Sequence, residues 1–359
     1  MKKLLITAMA ILTSCGARED AVRLYIGTYT RESSEGIYSY CFDQNSGKWA
    51  ADTLTRAANP SFLLIGPDGR TLLASNQNKT PEDGVERFSY DPETGALKPL
   101  DFSKTAHIGP CYVATNGSLV LAANYAGGSL DVIPVSEDGS LLPCSLSFPG
   151  TASGPHPNQA AAHVHCATFT PDGKYALVSD FSADRIITFR VEGQQIGMVD
   201  NPYTPVRPGT GPRHIIFNAA GDRVYVIGEL SGEVTVFAYA DGRLETLQVV
   251  RCDDVDAQGS ADIHLSPDGK FLYASNRLKN DGIAIFSVDT QGLLTRVGYA
   301  HTGVHPRHFA LTPNGKYLLC ACMDSNVVQV FARDARTGLL TDTHNDIPTS
   351  LPAFILFVD

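Results

Sequence analysis

Six glycines recur through this chain at nearly constant intervals. Gly69, Gly173 and Gly269 close Pro-Asp-Gly turns, Gly315 closes Pro-Asn-Gly, and Gly117 and Gly221 end Thr-Asn-Gly and Asn-Ala-Ala-Gly. Their spacings are 48, 56, 48, 48 and 46 residues. Apolar, β-rich runs flank each turn, as in His214–Phe217 and Val224–Ile227 around Gly221, and such a pair reads as a hairpin. A third run ending near an aromatic follows, then a polar fourth run, so hydrophobicity falls along each unit. A period near 48 residues with four short strands predicts an all-β propeller built from four-stranded blades. The one long interval accommodates an insertion, 149–158, which reads as a surface loop.

The ends fix the blade count. The chain enters the repeat at Arg23–Gly27 with a second-type strand and stops after Ala353–Phe357, a first-type strand with no turn behind it. The C-terminal segment is therefore expected to complete the N-terminal blade and close the ring, which removes exposed sheet edges. The 338 residues from 22 to 359 hold seven periods. The expectation is one seven-bladed domain over 21–359, preceded by a segment 1–20 outside the fold.

Numbering each unit from its turn glycine shows where chemistry concentrates. Eight residues before the glycine stand His165, Arg213 and Arg307; eight after it stand Glu229, Arg277 and Tyr125. In an antiparallel hairpin these two registers meet at one edge, so Arg213 and Glu229 should be neighbours on one rim of the central channel. Arginines bind carboxylate or phosphate bidentately and stabilise a developing oxyanion. Glu or His can activate water. His163 shares a strand face with His165. Asn124 and Asn276 recur one position before the rim, where they suit turn hydrogen bonds or a ligand.

Other chemistries find little support. A net charge of -10 with no basic run argues against nucleic-acid binding. There is no Gly-x-Ser-x-Gly elbow, dinucleotide fingerprint or P-loop in a fitting context, so neither a serine hydrolase nor a nucleotide cofactor is indicated. His163-Val164-His165-Cys166 contains metal-ligand types, but no second cluster with closing spacing is evident, and no metal or other cofactor is expected unless the fold brings His156, His305 or His308 near. Met1-Lys2-Lys3, the apolar run Leu4–Leu12 and Leu12-Thr13-Ser14-Cys15 have the layout of a secretory signal ending in a lipoprotein cleavage box. This predicts export to a bacterial cell envelope with Cys15 lipidated; a plain signal peptide, or a cytoplasmic chain with an apolar start, are the alternatives. The other seven cysteines are irregularly spaced and read as small strand residues.

The chain resembles the seven-bladed propeller lactonases, a family that includes propeller-type 6-phosphogluconolactonase and carboxy-cis,cis-muconate lactonising enzymes. The resemblance runs from Leu24 to Phe357. It is carried by Ile26-Gly27-Thr28-Tyr29-Thr30, Ala123-Asn124-Tyr125 with Gly127-Gly128-Ser129, and His163-Val164-His165. Gly211-Pro212-Arg213-His214, Glu229-Leu230 and Ser275-Asn276-Arg277 complete it. It implies that His165, Arg213, Glu229 and Arg277 are catalytic, the four that the rim register also selects; Arg307 comes from the register alone. Arg307, His163, Asn124, Tyr125 and Asn276 are expected around the substrate. Two departures concern substrate choice: Gly228 stands where the family usually has Asn, and Leu278-Lys279-Asn280 replaces a shorter Gly-His turn.

The function expected is hydrolysis of a sugar lactone of the 6-phosphogluconolactone or gluconolactone type, with no obligate protein partner and membrane contact only through the lipid anchor. Export favours an unphosphorylated substrate. A muconate-type lactonising cyclase and a non-catalytic, lipid-anchored binding propeller are the rival readings, and fold alone does not choose among them.

Overall fold

The computed structural model describes Cys15 and residues 20–358. Residues 1–14, read as a signal segment, and residues 16–19, read as a tether, lie outside the described residues. Seven antiparallel sheets form the ring expected from the repeat. Blade 1 joins Pro352–Val358 to Ala21–Thr28, Gly36–Asp43 and Trp49–Arg56. The C-terminal strand pairs with the N-terminal one from Arg23↔Val358 to Gly27↔Phe354. Blades 2 to 7 begin at Pro60, Pro110, Val164, Pro212, Ser260 and Pro306. These first strands and Pro352–Val358 touch one another in an unbroken cycle, which makes them the channel wall.

The turn glycines do what their spacing required. All six adopt positive φ, between 62° and 90°, where a side chain would be strained. Second and third strands are almost wholly buried (Leu119–Asn124 and Phe271–Asn276 throughout), whereas outer strands such as Trp49–Arg56 are largely exposed. Apolar residues from facing blades interlock into clusters, for example Tyr225, Val234 and Val236 of blade 5 with Ile263, Leu272 and Phe286 of blade 6. Buried tyrosine hydroxyls tie blade to blade: Tyr25 donates to Gly95 O (2.6 Å), Tyr225 to Gly292 O (2.9 Å) and Tyr273 to Gly338 O (2.8 Å).

Six inner strands carry a register shift near their start, between Pro60 and Leu63, Pro110 and Tyr112, Val164 and Cys166, Pro212 and Ile215, Ser260 and Ile263, and Pro306 and His308. Such bulges break the two-residue alternation and re-aim side chains. Here they turn consecutive residues toward the channel.

The 149–158 insertion is a loop, as read from sequence, and it reaches further than a local excursion. A short 3-10 turn, Pro157–Gln159, is locked by Gln159, whose Nε2 donates to Phe181 O (2.9 Å) and Asp184 Oδ1 (2.8 Å). His156 meets Gln258, before blade 6, at 3.1 Å. Cys15 forms a disulfide with Cys41. That bond occupies the sulfur that lipidation requires, so the lipid expectation holds only for a chain whose Cys41 is a free thiol. Cys111, Cys166, Cys320 and Cys322 are buried strand residues, as expected; Cys252 is buried just past the strand Arg243–Arg251, and Cys144 is half-buried. No helix among the described residues is long and apolar enough to cross a membrane.

Candidate active site

Pro212 pairs with Gly228 at the open end of the hairpin; Arg213 sits in the bulge just inside it and Glu229 just past the end of the partner strand, so both stand at the same rim. Arg213 Nε donates to Glu229 Oε2 at 2.9 Å, and Arg277 NH2 approaches the same oxygen at 3.2 Å. The pairing predicted across sixteen residues is thus a direct contact. Both bonds land on Oε2, leaving Oε1 directed elsewhere. Gly228 has a physical reason: a Cβ there would lie 2.6 Å from Thr210 Cγ2 and 2.9 Å from Thr210 O. The glycine lets the 206–211 loop close onto Glu229, whose N–H donates to Gly211 O (2.9 Å).

The two arginines are buried and each is anchored by several contacts, with Arg213 NH2 left outside them. Arg213 NH1 also donates to Ala261 O and to His214 Nε2, the latter at 3.0 Å. Arg277 donates through Nε to Gly259 O (2.8 Å) and through NH1 to His305 Nε2 (3.1 Å). Burial, then the nearby Arg277, lowers the Arg213 pKa to about 10, so it keeps its charge at neutral pH. Arg307 is half-buried, lies over the Tyr29 ring at 5.2 Å and forms no ion pair among the described residues. Two guanidiniums therefore hold one carboxylate, and Arg307 makes no hydrogen bond among the described residues.

His165 completes the cluster. It is buried, and burial followed by Arg213 holds its pKa well below the usual value, so it is neutral. Its ring lies 5.2 Å from that of His214 and 5.4 Å from that of Tyr125. The Cys111 thiol donates to His165 O (3.4 Å). Burial raises the Cys111 pKa to about 11, which keeps the thiol protonated. Tyr125 stacks on His163 at 4.1 Å, and His163 Nδ1 donates to Tyr125 O (2.6 Å). This pair forms the wall beside His165.

Two residues expected around the substrate lie inside the blades in this structure. Asn276 is fully buried in blade 6, where its Nδ2 donates to Cys252 O (2.8 Å) and its Oδ1 accepts from Ser260 Oγ (2.6 Å). Asn124 is fully buried in blade 3, with Nδ2 on Ser129 Oγ (3.0 Å). Both serve the blade interior, the turn-binding role that their register also suggested.

Sequence reading missed a second layer beneath the rim. His214, Asp262 and His308 stand seven residues before Gly221, Gly269 and Gly315. Asp262 accepts from His214 Nδ1 (2.7 Å), His264 Nε2 (3.0 Å) and Phe309 N (3.0 Å), with His308 Nε2 at 3.5 Å. Burial alone would raise the Asp262 pKa, but His264 and His308 outweigh it and hold the carboxyl well below its ordinary value. Asp262, His264 and His308 have the residue types of a metal site. The proton positions speak against one: His308 Nδ1 accepts from Ile355 N (3.1 Å), which puts the proton on Nε2, the atom that a metal would need bare. A regular strand would point seven- and eight-back residues to opposite faces; the bulges bring both to the channel.

Cys111, Arg213, His214, Arg307 and His308 line one small chamber in the channel. A larger groove lies elsewhere, at the outer edge between blades 4 and 5, lined in part by Met198–Asn201 and Ala240–Leu244, and shares no residue with this site.

The model of the family described as lactonase, 7-bladed beta-propeller, matches residues 23–357. The chain belongs to this family. A 6-phosphogluconolactonase from Formosa agariphila is 34% identical over 333 residues, covering 88% of this chain and 94% of that protein. Among solved structures, a candidate 6-phosphogluconolactonase from Bacteroides fragilis is 46% identical, with a TM-score of 0.93 over 95% of this chain and 99% of the other. A periplasmic gluconolactonase from Pseudomonas aeruginosa is 34% identical, with a TM-score of 0.90 over 94% and 99% of the two chains. Family membership and the Arg–Glu–His cluster thus meet at one rim of this lactonase.

Proposed function

We propose that this protein hydrolyses a sugar δ-lactone to its open-chain acid, using Glu229, His165 and the three arginines. The observation that carries the reading is the sharing of Glu229 Oε2 by Arg213 and Arg277. It fixes the carboxylate and leaves Oε1 to take a proton from water. The water oxygen adds to the lactone carbonyl carbon, and charge develops on the carbonyl oxygen. The Arg213 NH2 group, outside the bonds to Glu229, Ala261 and His214, is the donor assigned to that oxyanion, a buried position where such donors are most effective. Collapse breaks the ring C–O bond, the ring oxygen takes up the proton held by Glu229 to become a hydroxyl, and the new carboxylic acid releases its own proton to solvent. His165, neutral among three cations, suits a hydrogen bond to water or to a sugar hydroxyl better than it suits proton storage. Glu229 is accordingly the base, a choice that sequence left open. The steps draw on these side chains alone.

Arg307 has uncommitted donors and is the residue assigned to an anionic substituent of the substrate, phosphate or carboxylate. The Formosa relative favours a phosphorylated lactone; the periplasmic Pseudomonas relative and the apparent signal sequence favour an unphosphorylated one. The proposed location is the bacterial cell envelope, with a lipid anchor at Cys15 and Cys41 left as a thiol.

The test is proton release at constant pH with glucono-1,5-lactone and 6-phosphogluconolactone side by side, each above its enzyme-free hydrolysis. An excess rate with either supports the reading, and the preferred lactone identifies the substituent. No excess with either lactone, together with turnover of a muconate-type dicarboxylate, would replace it with the cyclase reading.

A further inference from the structure

Both site arginines are backed by the same three-residue arrangement, contributed by different parts of the chain. In one, Arg213 NH1 donates to His214 Nε2 (3.0 Å) and His214 Nδ1 meets Asp262 Oδ1 (2.7 Å). In the other, Arg277 NH1 donates to His305 Nε2 (3.1 Å) and His305 Nδ1 meets Asp324 Oδ2 (3.1 Å). The order of atoms is identical. A guanidinium has only donors, so each Nε2 must be bare; a neutral imidazole then carries its proton on Nδ1, which donates to the carboxylate. The carboxylate thereby selects the tautomer that can receive the arginine.

We propose that His214–Asp262 and His305–Asp324 are positioning pairs that aim Arg213 and Arg277 at the reacting lactone. None of the four is assigned contact with substrate; they act through the arginines. A carboxylate that fixes the tautomer of a catalytic histidine is familiar from hydrolytic triads. Here the ring it fixes is an acceptor for a cation.

The His305 pair shows a further sign of having been built for this. His305 adopts φ 62°, a conformation unfavourable for a residue with a side chain. Its N–H is held by Asp281 Oδ1 at 2.7 Å. Met323 N donates to His305 O (3.0 Å), so the backbone is fixed on both sides of the ring. Within the first pair, Asp262 is also tied to His264 and Phe309, so changing it would disturb the channel wall. Asp324 is different: its side chain is 46% exposed, on a short turn, Met323–Ser325, at the rim. It can be altered without opening the core.

The kinetic arm of the test rests on the lactonase reading; the spectroscopic arm does not. Asp324→Asn, in the full chain, is expected to lower lactone kcat about 10–100-fold, the range typical when an outer partner of a functional histidine is lost, with an unchanged urea midpoint. In an Arg277→Ala background the same change should have no further effect, because its only route to the reaction has been removed. Asp324→Glu should restore part of the rate. Independently, ¹⁵N–¹H correlation of the histidine side chains should show wild-type His305 and His214 as Nδ1–H tautomers. Asp324→Asn should shift His305 toward Nε2–H and leave His214 alone. An Nε2–H tautomer for His305 in the wild type would overturn the proposal, whatever the substrate. So would an equal loss from Asp324→Asn with and without Arg277. A protein without lactonase activity but with the expected tautomers would sink the functional reading and keep the positioning one.

Discussion

Replacing Arg213 by lysine keeps the charge and tests whether the site depends on the geometry of the guanidinium. Arg213 is 2% exposed and serves three acceptors from two nitrogens: Glu229 Oε2 through Nε, and Ala261 O and His214 Nε2 through NH1. A lysine ammonium is a single point on a shorter polar reach, so it can serve Glu229 or the inner pair, not both. If it follows Glu229, Ala261 O and His214 Nε2 lose their donor in a buried setting. An acceptor stranded in this way costs about 1–3 kcal/mol, so Arg213→Lys should destabilise the protein by about 2–6 kcal/mol. The loss of one well-placed oxyanion donor should also lower kcat about 100–1,000-fold. Urea denaturation gives the first quantity and saturating lactone kinetics the second, measured at a denaturant concentration far below the midpoint. A lysine variant with the wild-type midpoint and more than a third of the wild-type kcat would refute the reasoning, since it would show that charge alone suffices.

Three further outcomes are expected. Arg307→Ala should raise KM for an anionic lactone about tenfold or more while changing kcat little, because a half-buried arginine with no ion pair among the described residues contributes binding rather than transition-state contact; equal KM values for charged and neutral lactones in both proteins would contradict this. Acid should destabilise the fold: burial lowers the pKa of His214 and of His305 to about 4 and of His308 to about 3. These side chains stay neutral in the folded protein down to those values but take protons near pH 6.5 once unfolded. Stability is therefore full above pH 6.5 and falls as pH drops toward 4, by up to about 1.4 kcal/mol per pH unit for each histidine; a urea midpoint flat from pH 7 to 4.5 would contradict the burial of these rings. Peptide mapping of membrane-fraction protein without reductant should find a lipidated Cys15 and an alkylatable Cys41, and a linked Cys15–Cys41 peptide would retire the anchor.

The turn glycines made the ring legible before any coordinate, since a positive-φ residue every 48 or so positions leaves few architectures. The Arg213–Glu229 contact was legible for the same reason: hairpin geometry converts a sequence separation into an edge position. The layer formed by His214, Asp262 and His308 was not, although its residues are as regularly spaced as those at the rim. Strand alternation assigns them to the face opposite Arg213 and Arg307, and only the bulge at the start of each inner strand reverses that. A bulge leaves no side-chain signature in Gly-Pro-Arg-His or Ser-Ala-Asp-Ile. His305 and Asp324 were invisible for another reason: they lie in loops outside the counted registers, and their link to Arg277 depends on a left-handed histidine. At Asn124 and Asn276 regular recurrence accompanies a repeated structural task, hydrogen bonding inside the blade.

The central claim is that Glu229, held between Arg213 and Arg277, activates the water that opens the lactone. The most direct measurement is kcat for Glu229→Gln against wild type, at saturating lactone and after subtraction of spontaneous hydrolysis. Glutamine keeps the shape and one acceptor but cannot take the proton. The account predicts a fall of about 100–10,000-fold with the lactone still bound. A variant that retains the wild-type kcat would contradict it and move the base to His165.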